Sequence, residues 1–402
     1  MNITHRLLLP MESKIIYPSL SNWRQEKLSK QLPFREHSSG HLSSDDSELH
    51  EIYGTLDLTH HVEFEEKDQK TKLLIHEDYE KLTSFARIEK MVEELQLSDE
   101  LAFNVMLTKR GNLTLENKAF SRYYYDAKTV LEVHDESYFY SPRMQAFFDS
   151  FSSLAIDPRT FDLGLPLQIC PASGWRYADL FNALLEAIRA YCQTRKYRTR
   201  LRKHKDNCKR PVGRFLLWEA ELFRSRSRHL MVLVHLGYRP RCRQHVTPGL
   251  IQAHLDRMLD APSHPLLKGI RDYAWRIEEG RRTGLHVHLL VSYDTWKNNG
   301  VAVARELGEY WKRHATEGMG KYWNGNLDAL IRRSKEAGAG LGTGKIDHDD
   351  LAARTGLRKI LRYMAKADQY LTRKSGPKYR SFALSKPKEK KVQGRPRRGQ
   401  AV

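Results

Sequence analysis

The chain has 402 residues, of which 40% are hydrophobic, which is enough for at least one substantial core and predicts about two domains. Its formal net charge of +19 and sequence pI of about 9.6 favour a polyanionic partner, and the excess of positive charge falls after residue 176. The four cysteines form no CxxC pair, which argues against a zinc ribbon or a disulfide framework; they are Cys170, Cys192, Cys208 and Cys242.

The sequence offers no membrane-spanning segment. None of its apolar runs approaches the roughly 18 residues that a span requires. The opening stretch "MNITHRLLLPMESK" has an apolar patch that is too short for a signal peptide. We therefore expect a soluble protein that works in the cytoplasm.

The first half of the chain shows two kinds of segment. Residues 1–75 are polar and irregular, so we expect them to be largely flexible. Residues 76–205 have helical periodicity and an aromatic-rich stretch, which predict a folded accessory domain whose aromatic residues form ordinary core. The helix predicted from 177 to 210 has a basic end, 195–210, that is either a solvated helix end or a phosphate-binding arm.

The pattern changes at about residue 211. "RHLMVLVHLGY" predicts a buried strand, and Thr247 before Pro248 marks a helix start. Two apolar runs around the turn "EGRRTG" predict a β-hairpin, and two helices follow, separated by a glycine-rich connection and a short strand. Residues 211–385 are therefore expected to form an α+β domain with an antiparallel sheet and packed helices, followed by a basic disordered tail at 386–402.

The hairpin carries two histidines in "GLHVHLLVSYD". Because alternate residues of a strand face the same side, His286 and His288 should leave the sheet together, opposite an apolar face. Glu278 lies eight residues before His286, across the turn, where cross-strand neighbours on one face are about 5 Å apart. Two imidazoles and one carboxylate can form a metal site with open positions. Glu279 is the alternative carboxylate if the turn contains a bulge.

A tyrosine and a lysine lie one helical turn apart in "RYMAKADQY". Tyr363 and Lys366 are three residues apart, so they share a face of the predicted helix. An ammonium group there would favour the phenolate or hold a phosphate that the tyrosine attacks. The structural alternative places Tyr363 in the core while Lys366 extends to the solvent. Tyr370, seven residues further on, is the alternative nucleophile or a core residue.

These motifs, in this order and in the basic half of the chain, resemble the HUH superfamily of endonucleases. "GLHVHLL" resembles the histidine–hydrophobic–histidine motif, and "YMAK" resembles the YxxK motif. The glutamate before the histidines resembles the metal-binding hairpin of rolling-circle replication initiators. More narrowly, residues 225–385 resemble the inovirus Gp2 family, also met as the YagK/YfjJ-type domain of prophage-encoded proteins.

The resemblance implies a ferredoxin-like or RRM-like sheet and a site-specific endonuclease that nicks and joins single-stranded DNA. His286, His288 and Glu278 would bind one divalent ion, Mg²⁺ or Mn²⁺, in such an enzyme. Tyr363, helped by Lys366, would form a 5′-phosphotyrosine intermediate. That reaction would initiate rolling-circle replication of a phage, prophage or plasmid, with a host helicase and polymerase as expected partners.

Basic residues near the two motifs are expected to hold single-stranded or origin DNA through its phosphates; they are Arg281, Arg282, Arg362, Arg373 and Lys374. Two alternatives stay open. The same chemistry serves transposases and relaxases, and a non-catalytic DNA-binding regulator can have the same fold. The motif expected on the first strand of the domain is poorly defined, so no role is assigned to His235.

Overall fold

The computed structural model describes residues 44–67, 70–79, 81–154, 165–261, 264–295, 299–325, 342–374 and 379–386. Three parts of the sequence-based interpretation lie outside these residues. They are the first 43 residues of the segment expected to be flexible, most of the glycine-rich connection, and the tail beyond Lys386. None of the helices in the described ranges combines the length and the apolar character that a membrane span requires.

The N-terminal part of the chain is mainly helical. Its elements are α1 Ser44–His61, β1 Val62–Lys67, β2 Lys70–Ile75, α2 Lys81–Glu94, β3 Phe103–Leu107, β4 Leu113–Asn117, α3 Tyr124–Glu132, β5 Tyr138–Tyr140, α4 Pro142–Ser153, α5 Tyr177–Gln193 and α6 Arg195–Ser225. Residues 44–67 and 70–75 thus form a helix and a two-stranded pair where the sequence analysis expects flexibility. The physical reason is that Ile52, Tyr53 and Leu56 of α1 are buried in the core.

The C-terminal part combines a sheet with helices. Its elements are β6 Arg228–Tyr238, α7 Pro248–Leu259, α8 Pro265–Lys268, β7 Asp272–Gly280, β8 Gly284–Tyr293, α9 Gly300–Tyr310, β9 Gly320–Asn324, β10 Gly344–Asp347, α10 Leu351–Tyr370, β11 Leu371–Arg373 and β12 Phe382–Leu384. The strands and helices predicted from residue 228 onward are present, and β9, β11 and β12 are additional. The chain is therefore α+β, as the sequence predicts.

A six-stranded antiparallel sheet organises the C-terminal part. Its order is β10-β6-β8-β7-β12, and β9 pairs with β6 on the same edge as β10. The two central pairings are long: β6 and β8 are matched from Leu230–Tyr293 to Leu236–Val287, and β7 and β8 from Asp272–Ser292 to Gly280–Gly284. The outer strands are short. The register of β6, β8 and β7 therefore determines which side chains lie next to each other on each face of the sheet.

The two faces of this sheet pack against different helices. On one face, alternate residues such as Val232, Val287 and Leu289 form a core with residues of α7 and α9. On the other face, Met231 and Leu290 belong to a core that includes residues of α10. Because side chains alternate along a strand, His286 and His288 lie on the face that α10 covers.

The core under α10 also joins the N-terminal helices to the sheet. It contains Tyr53 and Phe85 of the N-terminal part together with Leu290 of the sheet and Leu361 of α10. β11, which follows α10, pairs with β5 of the N-terminal part. The helix α6 also runs without interruption through residues 206–210, where the two sequence-based domains meet. The division into domains stays a prediction, and the shared core makes the packing of each half depend on the other.

The basic helix α6 is separate from the helix before it. The sequence analysis expects one helix from 177 to 210, but the structure breaks it at Thr194, whose backbone is extended (φ −68°, ψ 144°). The Thr194 hydroxyl accepts a hydrogen bond from the backbone N–H of Tyr197 at 3.2 Å and so caps α6. The helix then continues through Pro211, which has no N–H to donate to the preceding turn.

The helix start at Thr247 and the hairpin turn match the sequence analysis. The Thr247 hydroxyl accepts from the backbone N–H of Leu250 at 3.2 Å, which caps α7 ahead of Pro248. Asp350 caps α10 by accepting from the backbone N–H of Ala353 at 2.9 Å. Gly284 ends the hairpin turn with φ +69°, a left-handed conformation that glycine adopts without strain.

His204 of α6 makes the stability of the fold depend on pH. Burial, followed by the nearby charges of Arg143 and Lys366, lowers the pKa of His204 from 6.5 to about 4. Between these two values the unfolded chain takes up a proton that the folded chain does not. The stability contributed by neutral His204 is therefore complete above about pH 6.5 and is lost as the pH falls.

We expect His204→Gln to flatten this dependence. The free energy of unfolding, measured with denaturant, should fall between about pH 7 and about pH 4.5. The fall should be about 2 kcal/mol larger for the wild type than for the variant. His314→Gln changes an exposed histidine and should behave as the wild type does. Equal pH slopes for wild type and His204→Gln would show that His204 protonates freely in the folded protein.

Candidate metal centre and adjacent tyrosine

The register of the hairpin brings a carboxylate beside the two histidines. Glu278 pairs with His286 across β7 and β8, and Arg276 pairs with His288. Directly paired residues share a face, so all four side chains lie under α10. Glu279 pairs with Leu285 on the opposite parity and forms an ion pair with Arg373 instead. The ladder has no bulge at this point, so Glu278 is the carboxylate of the group.

Glu278, His286 and His288 form a compact, buried group that can hold a metal ion. One ligand atom from each lies within 4.8 Å of the others. The Oε2 atom of Glu278 is 3.1 Å from Nε2 of His288 and 3.9 Å from Nε2 of His286. A carboxylate oxygen and two imidazole nitrogens form a donor set that suits a divalent ion with remaining open positions.

The ring of His286 is oriented for coordination. Its Nδ1 lies 2.9 Å from the carbonyl oxygen of Gly284, which can only accept, so Nδ1 carries the hydrogen. The lone pair is then on Nε2, which is buried and has no hydrogen-bond partner among the described residues. Burial, followed by the charge of His288, lowers the pKa of His286 to about 4. A neutral, oriented imidazole with a free nitrogen is the form that binds a metal.

A buried arginine balances the carboxylate. Arg276 is 1% exposed, and its Nε lies 3.0 Å from Oε1 of Glu278. The same guanidinium group pairs with Asp368 and donates to the backbone carbonyl of Met364, both in α10. Burial of Glu278 opposes ionisation, but the charges of His288 and Arg276 and the hydrogen bond from His288 outweigh it. The pKa of Glu278 therefore lies well below its usual range.

Tyr363 is joined directly to this group. Its side chain is 6% exposed, and its hydroxyl donates to Oε2 of Glu278 at 2.6 Å. The Tyr363 ring also lies 5.4 Å from the ring of His288, centroid to centroid. The position of Tyr363 on the face of α10 that meets the sheet brings a phenol and the metal-binding group to the same carboxylate oxygen.

Lys366 and Tyr370 lie away from the metal-binding group. The Lys366 ammonium donates to Oε2 of Glu48 in α1 at 2.8 Å, so its charge is directed toward the N-terminal part. Tyr370 packs against Tyr53 and His204 with ring centroids 5.6 Å and 5.4 Å away. Burial raises the pKa of Tyr370 well above 10. These contacts favour Tyr363 over Tyr370 as the reactive phenol.

The predicted DNA-contacting residues lie around the hairpin turn, on α10 and at the end of β11, and most contact other parts of the protein. Arg281 is 3.7 Å from Asp78 and 3.9 Å from Asp135, and Arg282 is 4.0 Å from Glu77. The ammonium group of Lys374 lies 5.5 Å from the ring centroid of Phe139, and Arg373 pairs with Glu279 as described above. Arg362 is exposed on α10.

Two residues of the centre were not assigned from the sequence. His235 of β6 pairs with His288 across the sheet, and their ring centroids are 4.3 Å apart. Burial, followed by the charges of His288 and His286, holds the pKa of His235 well below 6.5. Arg276 lies two residues before Glu278, so the alternation of side chains along a strand already indicated that both face the same side. His235 could be placed beside His288 only once the register of β6 against β8 was known.

Comparisons with known proteins leave the family of this chain open. No family model, curated protein or solved structure matches it. The features that bear on its function are the buried group of Glu278, His286 and His288 and the tyrosine bonded to it.

We expect the protein to bind a divalent ion through this group. Addition of Mn²⁺ to metal-free protein should raise the melting temperature, because an ion that binds only the folded state stabilises it. His286→Ala removes one of three ligands and should weaken binding by roughly 100-fold or more. Isothermal titration with Mn²⁺ measures the affinity directly.

The matched control is His229→Ala. His229 lies in β6 and is buried, as His286 in β8 is. Its ring nitrogens contact the hydroxyl of Ser292 at 2.8 Å and the carbonyl of Leu222 at 3.0 Å. This variant should lower the melting temperature without an ion and keep the ion-dependent increase. An equal response of the wild type and His286→Ala to Mn²⁺ would contradict a metal site at Glu278, His286 and His288.

Proposed function

We propose that this protein is a metal-dependent single-strand DNA endonuclease and ligase of the HUH type, which nicks DNA through a 5′-phosphotyrosine intermediate. The observation that carries the proposal is the 2.6 Å hydrogen bond from Tyr363 to Glu278 within the metal-binding group. A phenol beside a group that can bind a divalent ion fits phosphoryl transfer to tyrosine. Two features support DNA as the substrate: the basic C-terminal half of the chain and its resemblance to HUH endonucleases.

The order of elements supports a ferredoxin-like sheet for this domain. The chain runs β6, α7, β7, β8, α9 and β10, with the short α8 before β7 and the edge strand β9 before β10. This is the strand–helix–strand–strand–helix–strand sequence of the ferredoxin-like motif. The spatial order β10-β6-β8-β7 keeps the first strand and the hairpin at the centre. In this arrangement α10 is an added helix on the second face, where it carries Tyr363.

In the proposed reaction the scissile phosphate enters between the metal-binding group and Tyr363, and the hydrogen bond from Tyr363 to Glu278 opens to admit it. A divalent ion, Mg²⁺ or Mn²⁺, held by Glu278, His286 and His288 would act as a Lewis acid toward that phosphate. The Tyr363 oxygen forms a bond to phosphorus as the bond from phosphorus to the 3′ oxygen breaks. The phenolic proton leaves to solvent, because the low pKa of Glu278 makes it too weak a base to keep that proton, and the released 3′ oxygen takes up a proton to become a hydroxyl.

The covalent intermediate makes the nick reversible. The phosphotyrosine bond conserves the energy of the phosphodiester, so a later 3′ hydroxyl can attack it and rejoin the strand without ATP. The free 3′ end is a primer for a polymerase, which suits initiation of rolling-circle replication of a phage, prophage or plasmid with host helicase and polymerase as partners. Transposition and conjugal transfer use the same chemistry, and the target DNA distinguishes them.

A non-catalytic DNA-binding regulator is the alternative from another class. It would need the fold and the basic surface but neither the ion nor the tyrosine. The free Nε2 of His286 and the placement of Tyr363 favour the enzyme, because a regulator has no use for an oriented, unbonded imidazole.

Incubation with single-stranded DNA and Mn²⁺ should produce a covalent protein–DNA adduct. A denaturing protein gel should show a slower, nuclease-sensitive band for the wild type, and Tyr363→Phe and His286→Ala should each lose it. Tyr370→Phe is the matched control, because it removes a partly buried phenol of the same helix that packs on Tyr53 and His204 instead of the metal-binding group. A band that Tyr363→Phe keeps and Tyr370→Phe loses would move the nucleophile. DNA binding with no adduct under any condition would favour the regulator.

We propose that Lys366 assists the reaction when the phosphate of bound DNA replaces Glu48 as the partner of its ammonium group. We expect Lys366→Met to slow adduct formation by about 100-fold, since an ammonium group that stabilises phosphate charge is lost. Lys359→Met is the matched control, because Lys359 lies on the same helix and also pairs with a glutamate of α1, Glu51. If both variants slow adduct formation equally, Lys366 serves to hold α1 against α10 and does not stabilise the phosphate.

A further inference from the structure

The helix α6 exposes a long cationic surface that the proposed nuclease site does not use. Ten exposed lysine and arginine residues lie between positions 195 and 214, and we call them the α6 cationic face: Arg195, Lys196, Arg198, Arg200, Arg202, Lys203, Lys205, Lys209, Arg210 and Arg214. One exposed acidic residue, Asp206, lies within this stretch. The face is therefore strongly positive over about 28 Å of helix, at 1.5 Å per residue.

The cations lie in lengthwise rows. Residues seven apart on an α-helix are nearly on the same line, about 10.5 Å from one another. Arg195, Arg202 and Lys209 form one such row; a second row contains Lys196, Lys203 and Arg210. The opposite side of the helix is buried, through residues that include Tyr197, Phe215, Trp218 and Leu222. A rigid helix thus presents regularly spaced charges on one side only.

Few of these charges hold the fold together, although Arg214 lies 5.1 Å from the ring centroid of Phe382 and Arg198 donates to the side-chain oxygen of Gln193. Within the part of the chain that the structure describes, no ion pair joins any of the ten cations to a carboxylate. By contrast, Arg354 and Arg358 of α10 both pair with Glu219, further along α6. Ten exposed and mutually repelling cations on one helix raise the free energy of the free protein, and an external polyanion would relieve that repulsion.

We propose that the α6 cationic face docks the phosphate backbone of double-stranded DNA. A single strand is the weaker fit, because proteins that bind single strands supply aromatic rings for stacking, and every tyrosine, phenylalanine and tryptophan of α6 is buried. A membrane surface is also a weaker fit, because a helix that lies on lipid inserts an apolar face, and the apolar face of α6 is buried in the core. Regular rows of cations with no stacking group match an unbroken phosphate backbone.

The position of α6 connects this surface to the nuclease site. His204 of α6 packs against Tyr370 near the end of α10, while Glu219 pairs with Arg354 near its beginning. The two helices are therefore antiparallel, and the cationic end of α6 lies beside the part of α10 that carries Tyr363 and Lys366. This inference rests on the proposed function: the face would hold the duplex flank of the target while the single strand enters the site.

The test uses the full chain with Lys196→Gln, Lys203→Gln and Arg210→Gln combined, which removes one row. Fluorescence anisotropy with a labelled duplex should show at least a tenfold loss of affinity at about 0.1 M salt. The slope of log affinity against log salt should fall by about 3, because each phosphate contact contributes about 0.9. Adduct formation on a single-stranded oligonucleotide should stay unchanged, which separates this inference from the proposed reaction.

The control combines Lys109→Gln, Arg110→Gln and Arg313→Gln, which lowers the net charge equally at exposed sites elsewhere. An equal loss of duplex binding in both triple variants would overturn the proposal, because net charge alone would explain it. So would a row variant that loses more affinity for double-stranded RNA, single strands or anionic vesicles than for duplex DNA. Loss of duplex binding in the row variant alone supports the docking surface even if the wild type forms no adduct.

Discussion

A carboxylate that is taken out of water costs several kcal/mol unless charged or hydrogen-bonding groups replace the water. Glu278 is 4% exposed and meets this cost on both oxygens, with Arg276 at Oε1 and with His288 and Tyr363 at Oε2. These partners come from β7, β8 and α10. The contacts of one buried carboxylate therefore hold these three elements in position relative to one another. The same contacts keep the carboxylate ionised, which is the state that a cation requires.

The pairing of Arg276 extends this constraint to the rest of the molecule. Its guanidinium group also binds Asp368 and the carbonyl of Met364, which fixes α10 over the sheet. The outer side of α10 packs on α6 and α1, and Lys366 pairs there with Glu48. A helix that carries the candidate nucleophile is therefore held on one side by the metal-binding group and on the other by the N-terminal part.

Strand parity and hairpin pairing were sufficient to predict the centre itself. The alternation of His286 and His288 and the eight-residue spacing to Glu278 depend on local geometry, which a sequence records directly. The partner of Lys366 could not be predicted, because Glu48 lies 318 residues earlier and only tertiary packing brings the two together. The break at Thr194 was missed for a different reason: the apolar pattern continues across it, and a hydroxyl cap decided the outcome.

The hairpin ladder also limits how this stretch of sequence can change in length. Inserting or deleting one residue within β8 would turn both imidazoles into the apolar layer and bring Val287 under α10, since the side-chain period of a strand is two. Only the turn between Gly280 and Gly284 can absorb such a change without moving the ligands, and Gly284 restricts even that by its left-handed backbone. Among relatives of this chain, length variation should accordingly gather in other loops, and the interval from Glu278 to His286 should stay constant.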